Sequence, residues 1–138
     1  MSSPLTPPAT IPFLAHLGLT ASPSEPGSSC VHLPELKPEH CNLLPAAHGG
    51  VVMTLLDVAM ARAARSHPKA ATDSVVTVEM STRFIRPARG PLTARGRVVH
   101  GGGSLCTCEA QVLDEQGTLL ATAQGTFKYW KAAGPAVE

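Results

Sequence analysis

Hydrophobic positions along this chain change period once, close to Pro68. From Val51 to Ser66 there is no Gly or Pro, and Ala and Leu are frequent. At 100° per residue Val52, Leu55, Leu56, Ala59 and Ala63 share one broad face. The pattern predicts a helix of about four turns, stopped at Pro68. Beyond it the apolar period falls to two. In Ser74–Ile85, Val76, Val78 and Met80 alternate with Thr77, Glu79 and Ser81, which predicts a strand. Three more strands are expected over Leu92–His100, Ser104–Leu113 and Thr118–Trp130. The links between them are Pro87–Pro91, Gly101–Gly103 and Asp114–Gly117, the last a hairpin turn signal. Upstream, Ile11–Leu19 reads as a short amphipathic helix, Ala21–Ser29 as a loop, and Cys30–Leu36 as a strand in which Pro34 marks an edge or bulge.

The order is therefore strand, long helix, then four consecutive strands joined by short links. Short links require antiparallel pairing, and one amphipathic helix buries its stripe on such a sheet. The expectation is an α+β fold, one long central helix on a curved antiparallel sheet of about five to six strands. A chain of 138 residues makes one domain. We assign it to residues 11–131, with a Pro/Ser/Thr-rich loose segment over 1–10 and a frayed tail over 132–138.

Chemistry concentrates where the long helix begins. Asn42 opens a Pro-containing loop that ends in His48-Gly49-Gly50. The first N–H groups of a helix lack intrahelical partners, and the helix dipole adds partial positive charge there. Glycine lets a ligand approach that backbone, so Gly49 and Gly50 offer an anion or oxyanion site. Asp57 is the only acid in the helix. It falls outside the polar stripe bordered by Thr54, Arg62 and Arg65, in a sector with Met53, Met60, Ala61 and Ala64. An unpaired carboxylate among apolar neighbours is costly. Asp57 fits a surface Asp beside small residues, a buried Asp bonded to a backbone N–H, or a general base near the glycine turn.

Composition narrows the field. A net charge of +1 carries no nucleic-acid signal. No apolar run reaches the ~18 residues of a membrane span. The start of the chain lacks the charged and apolar stretches of a signal peptide, so a cytoplasmic location is expected. The four cysteines, Cys30, Cys41, Cys106 and Cys108, form no Cys-x-x-Cys pair, and the six histidines are scattered. Reduced thiols and no metal or other cofactor are expected. The triplet Gly101-Gly102-Gly103 lacks the Gly-Lys-Ser/Thr of a phosphate loop, and a hairpin turn is its expected role.

His48-Gly49-Gly50 at a helix start, Asn42 six residues earlier and Asp57 nine residues after His48 together resemble the hotdog-fold acyl-CoA thioesterases of the phenylacetate-degradation type. The resemblance runs from about Phe13 to Trp130. It takes in Leu17-Gly18, the Pro87-Ala88 turn and the Gly-x-Leu-x-Ala-x-Ala run of Gly117 to Ala123. It implies a hotdog fold and hydrolysis of a coenzyme A thioester to free acid and CoA. It implies that Gly49 N–H polarises the thioester carbonyl with help from Asn42, and that Asp57 acts as base or nucleophile. Thr77 matches the position of a hydroxyl that holds the attacking water, and His48 has either a catalytic or a loop-holding role. It also implies a homodimer, or a dimer of dimers, with Asn42 and Gly49 of one subunit facing Asp57 and Thr77 of the other. Pro45 departs from the pattern, since relatives often carry Gly three residues after the Asn. CoA phosphates are expected to meet Arg or Lys; Arg83, Arg86, Arg89, Arg95, Lys128 and Lys131 are available, beside Gly50 at the turn. A non-catalytic acyl-CoA sensor on the same fold is the alternative. A hotdog dehydratase or hydratase fits less well. It would pair an acid with a His a few residues on, and the next His after Asp57 is His67.

Overall fold

A computed structural model describes residues 11–72 and 74–131. The chain runs α1 (Pro12–Leu17), β1 (Thr20–Ser22), β2 (Ser28–Leu33), a 3₁₀ turn (Pro38–His40), α2 (Gly49–Ser66), β3 (Val75–Phe84), β4 (Leu92–Gly101), β5 (Leu105–Leu113) and β6 (Leu119–Tyr129). The six strands form one antiparallel sheet in the order β1-β2-β4-β5-β6-β3. This is the α+β architecture expected from the change of period, with six strands. The assigned end segments 1–10 and 132–138 lie outside the described residues.

α2 lies along one face of the sheet. The predicted stripe of Val52, Leu55, Leu56, Ala59 and Ala63 is buried, as are Met60 and Ala64. Leu55 and Leu56 have no exposed surface, and burying side chains of this size stabilises by about 1.5–3 kcal/mol each. Opposite them are Val31 and Leu33 of β2, Ala94 of β4, Cys106, Cys108, Ala110 and Val112 of β5, and Phe127 of β6. The helix rests directly on β4. A Cβ added at Gly96 would stand 2.4 Å from the Ala59 carbonyl oxygen. That same carbonyl accepts a hydrogen bond from Ser29 Oγ at 2.5 Å. Glycine at 96 thus lets a helix backbone touch a strand, while Ser29 fixes the helix along its axis.

Three local expectations are corrected. The span Ala21–Ser29 is not all loop, because Thr20–Ser22 pairs with Cys30–His32 as β1. Three residues are too few to show a period. Consequently β2 is an inner strand between β1 and β4, and it ends at Leu33, before Pro34. The third correction bears on the site. The alternation of β3 is broken by a bulge between Thr77 and Glu79. Thr77 pairs with Phe127, and Met80 pairs with Gly125, both on the helix side. Val76 and Val78 are 42% and 55% exposed. A bulge adds one unpaired residue and re-aims its neighbours. Here it turns a hydroxyl, rather than a valine, toward α2.

Candidate active site

The loop before α2 is a small closed structure. His48 N–H donates to the His40 carbonyl at 2.7 Å, and Asn42 N–H donates to the Ala46 carbonyl at 2.8 Å. Cys41 and Ala47 form an antiparallel bridge between these two bonds. Asn42 Oδ1 accepts from Leu44 N–H at 2.9 Å and from Ala46 N–H at 3.0 Å. The peptide Leu44-Pro45 is cis. The oxygen of Asn42 therefore holds the turn that contains Pro45. At the tip Leu43 is fully exposed and Leu44 is 65% exposed.

His48 is the N-cap of α2, and its Nδ1 accepts from Gly50 N–H at 2.9 Å. An acceptor at the N-cap satisfies one of the orphan donors of a helix start. Gly50 N–H is thereby engaged. Gly49 N–H has no acceptor among the described residues. Gly49 lines a cavity of about 350 Å³, together with Asn42, Phe84, Ile85, Arg86 and Leu120 among others. The Phe84 ring lies beside Gly49, 3.6 Å from where a Cβ would stand. The cavity thus has mostly apolar walls, with a free backbone donor on a helix dipole at one end. Such a donor can receive the negative oxygen of a tetrahedral intermediate.

Asp57 occupies a second place. It is half-buried on α2, and Thr77 Oγ1 donates to its Oδ1 at 2.6 Å. The other carboxylate oxygen has no hydrogen-bond partner among the described residues. Asp57 and Gly49 are eight residues apart on one helix, so they are separated by about 12 Å of axial rise. Reacting atoms must approach to about 3–3.5 Å. Within one chain the acid and the free amide do not share a substrate carbonyl.

The remaining expected residues divide by face. Arg86 lines the cavity beside Gly49. Arg83 lies in a polar trough on the outer face of the sheet with Ser81, Glu109, Gln111, Thr122 and Gln124. Arg95 and Lys128 are exposed on strands whose neighbouring residues Ala94, Phe127 and Tyr129 point inward, so both project outward with Arg83. Arg89 and Lys131 are exposed too. Phe84, Ile85 and Leu120 had not been singled out from sequence. The pair Phe84-Ile85 ends the alternation just before Arg86-Pro87, and that break is the signal that could have marked them. Among the described residues no group of three His, Cys, Asp or Glu side chains is placed to hold a metal ion. No helix among them is long and apolar enough to cross a membrane.

The family model described as the thioesterase superfamily matches residues 44–121, a span from the tip of the Asn42 loop into β6. A candidate esterase of Halobacterium salinarum is 30% identical over 128 residues, covering 86% of this chain and 85% of that protein. A conserved protein of Pseudomonas aeruginosa has a solved structure with a TM-score of 0.81 at 28% identity, covering 92% of this chain and 100% of that one. The phenylacetic acid degradation protein PaaI of Thermus thermophilus, solved as a mutant, gives a TM-score of 0.77 at 28% identity, covering 87% and 100%. The chain belongs to the thioesterase superfamily, and its fold is the hotdog fold.

Proposed function

We propose that this protein hydrolyses acyl-CoA thioesters in a site shared by two copies of the chain. Membership of the thioesterase superfamily, with relatives named as esterases, supports hydrolysis of an ester or thioester in general. The finer reading rests on the Asp57–Thr77 pair and the unclaimed Gly49 amide. The thioester carbonyl lies in the cavity with its oxygen on Gly49 N–H of one subunit. Asp57 of the other subunit takes a proton from water as the water oxygen bonds to the carbonyl carbon. Thr77 donates to the carboxylate and keeps the water in line. Charge developing on the carbonyl oxygen falls on the helix start, where one donor is worth ~3 kcal/mol. The C–S bond then breaks, CoA leaves as a thiolate and takes up a proton, and the free acid remains. Asp57 as direct nucleophile gives the same products through an anhydride that water opens.

The single observation that carries the shared site is the separation of Asp57 from Gly49 along one helix. The form of the sheet supports it. β1, at one edge, has three residues, whereas β3 at the other has ten. A long edge strand with exposed apolar side chains invites pairing with another chain. Val76, Val78 and Phe84 are exposed along β3. In the proposed dimer two β3 edges pair about a two-fold axis and each Asp57 meets the other subunit's Gly49. The test is a panel of aryl, medium-chain and long-chain acyl-CoAs assayed for free thiol. Release of CoA with at least one acyl group is expected. No release with any of them contradicts the proposal.

A further inference from the structure

We propose that His40 is the positioning residue that aims the Gly49 amide, an inference that rests on the proposed role of that amide. His40 is 2% exposed, although it lies in a surface connection between β2 and α2. All its polar groups are committed. Its Nδ1 accepts from Lys37 N–H at 2.9 Å. Its Nε2 lies 2.8 Å from the Leu17 carbonyl, to which it donates. Its own carbonyl receives His48 N–H at 2.7 Å. These bonds define one tautomer, with the proton on Nε2 and the lone pair on Nδ1.

The consequence is a continuous chain of contacts. The last residue of α1 holds the His40 ring, and the ring holds the 3₁₀ turn. The His40 carbonyl then holds the His48 backbone at the neck of the Asn42 loop. From that position the His48 ring caps Gly50 N–H, so that Gly49 N–H is the donor left for a ligand. A free amide at a turn is useful only if its direction is fixed, because a displacement near 1 Å can cost about 100-fold in rate. No other side chain described here links α1 to this turn through both ring nitrogens. A buried polar group satisfied at every atom rigidifies its surroundings, and a partly satisfied one loosens them.

Two variants separate positioning from simple core packing. His40→Asn retains an acceptor near Nδ1 and loses the donor to Leu17, whereas His40→Gln retains a donor near Nε2 and loses the acceptor for Lys37. Each is compared with His40→Ala for folding, for acyl-CoA hydrolysis, and for the ¹⁵N–¹H resonance of Gly50. The Gly50 amide reports the His48 cap without any need for turnover. We expect His40→Ala to lower kcat by about 10–100-fold with KM within about twofold, and to shift the Gly50 amide toward an uncapped position. His40→Asn and His40→Gln should each recover part of both signals. If the folded variants keep the wild-type Gly50 resonance and kcat, with only thermal stability reduced, His40 is a core residue and the inference is overturned. If His40→Ala does not fold, the same judgement falls on the Asn and Gln variants. Should the wild-type protein release no CoA from any thioester, the Gly50 resonance alone decides the positioning role, and the proposed function fails separately.

Discussion

Thr77 Oγ1 donates to Asp57 Oδ1 across the gap between β3 and α2, at 2.6 Å. The bond exists because a bulge turns Thr77 inward at the point where α2 presents its only carboxylate. A hydrogen bond to a charged group contributes about 1.5–3 kcal/mol. Replacing Thr77 with Ala is expected to lower kcat about tenfold with little change in KM, while Thr77→Ser recovers most of the rate. Steady-state kinetics on the three proteins check this. An unchanged kcat in Thr77→Ala removes Thr77 from the site.

Gly49 can lose its N–H without losing its helix. It is the first helical residue, where Pro is favoured. His48 before it has φ −58° and ψ 142°, the extended conformation that a following Pro requires. Gly49→Pro should therefore fold with α2 intact and lose about 100-fold or more in kcat. Circular dichroism and turnover on one preparation test both halves. Full activity in a folded Gly49→Pro protein would remove the amide from catalysis.

A site shared by two subunits, as proposed, makes its own prediction. Gly49→Pro and Asp57→Asn chains should each be inactive as pure proteins. Unfolded together and refolded, they form mixed dimers in which one site has an intact Gly49 and an intact Asp57. Activity should reappear on mixing. If each site lies within one chain, mixing restores nothing. Sedimentation at micromolar concentration should show dimers or larger assemblies, and Val78→Asp on the exposed β3 edge should shift them toward monomer.

The core sets an alkaline limit. Burial raises the Cys108 thiol well above its ordinary range, with Cys106 beside it adding to the shift. Burial likewise raises Tyr129, whose hydroxyl donates to the Ala64 carbonyl at 2.7 Å. Both groups are neutral when folded and ionise more readily when unfolded. Their stabilising effect is complete below the unfolded values, ~8.5 for Cys and ~10 for Tyr. It is lost as pH rises through the folded ones. The melting temperature should fall progressively above pH ~9, and more gently in Cys108→Ala after correction for its packing loss. Equal slopes in the two proteins would contradict this account.

Close packing at Gly96 gives a test of the fold itself. A methyl group there meets helix backbone, which cannot swing aside. Overpacking of this kind costs ~1–3 kcal/mol, so Gly96→Ala should lower the melting temperature by several degrees without altering the site chemistry. An unchanged melting temperature would mean that α2 does not rest on β4 at Ala59.

Much of this was legible in the chain because two periods carry it. The 3.6-residue stripe of Val52, Leu55, Leu56, Ala59 and Ala63 marks α2, and four alternating runs mark β3 to β6. β1 escaped because three residues show no period. The spacing from His48 to Asp57 put both residues on one helix, and the structure has His48 as the N-cap of α2 and Asp57 within it. Alternation alone, however, would have turned Val76 and Val78 inward, and only the bulge brings Thr77 to Asp57. Asn42 Oδ1 accepts from Leu44 and Ala46 of its own loop, and nothing in the chain indicated that arrangement. His40 gave no signal, since a buried histidine bonded at both nitrogens and a solvated one look alike in sequence. Arg83, Arg95 and Lys128 could not be assigned to a face until the strand register was known.

The most direct test of the account is the single-turnover rate of Asp57→Asn, measured beside its melting temperature. Asn has nearly the shape of Asp and can still accept from Thr77, but it cannot take a proton from water or attack a carbonyl. The account predicts a folded protein that binds acyl-CoA and hydrolyses it at least about 100-fold more slowly than wild type. A stable Asp57→Asn protein with near wild-type turnover would contradict it, and would leave Asp57 as a structural partner of Thr77.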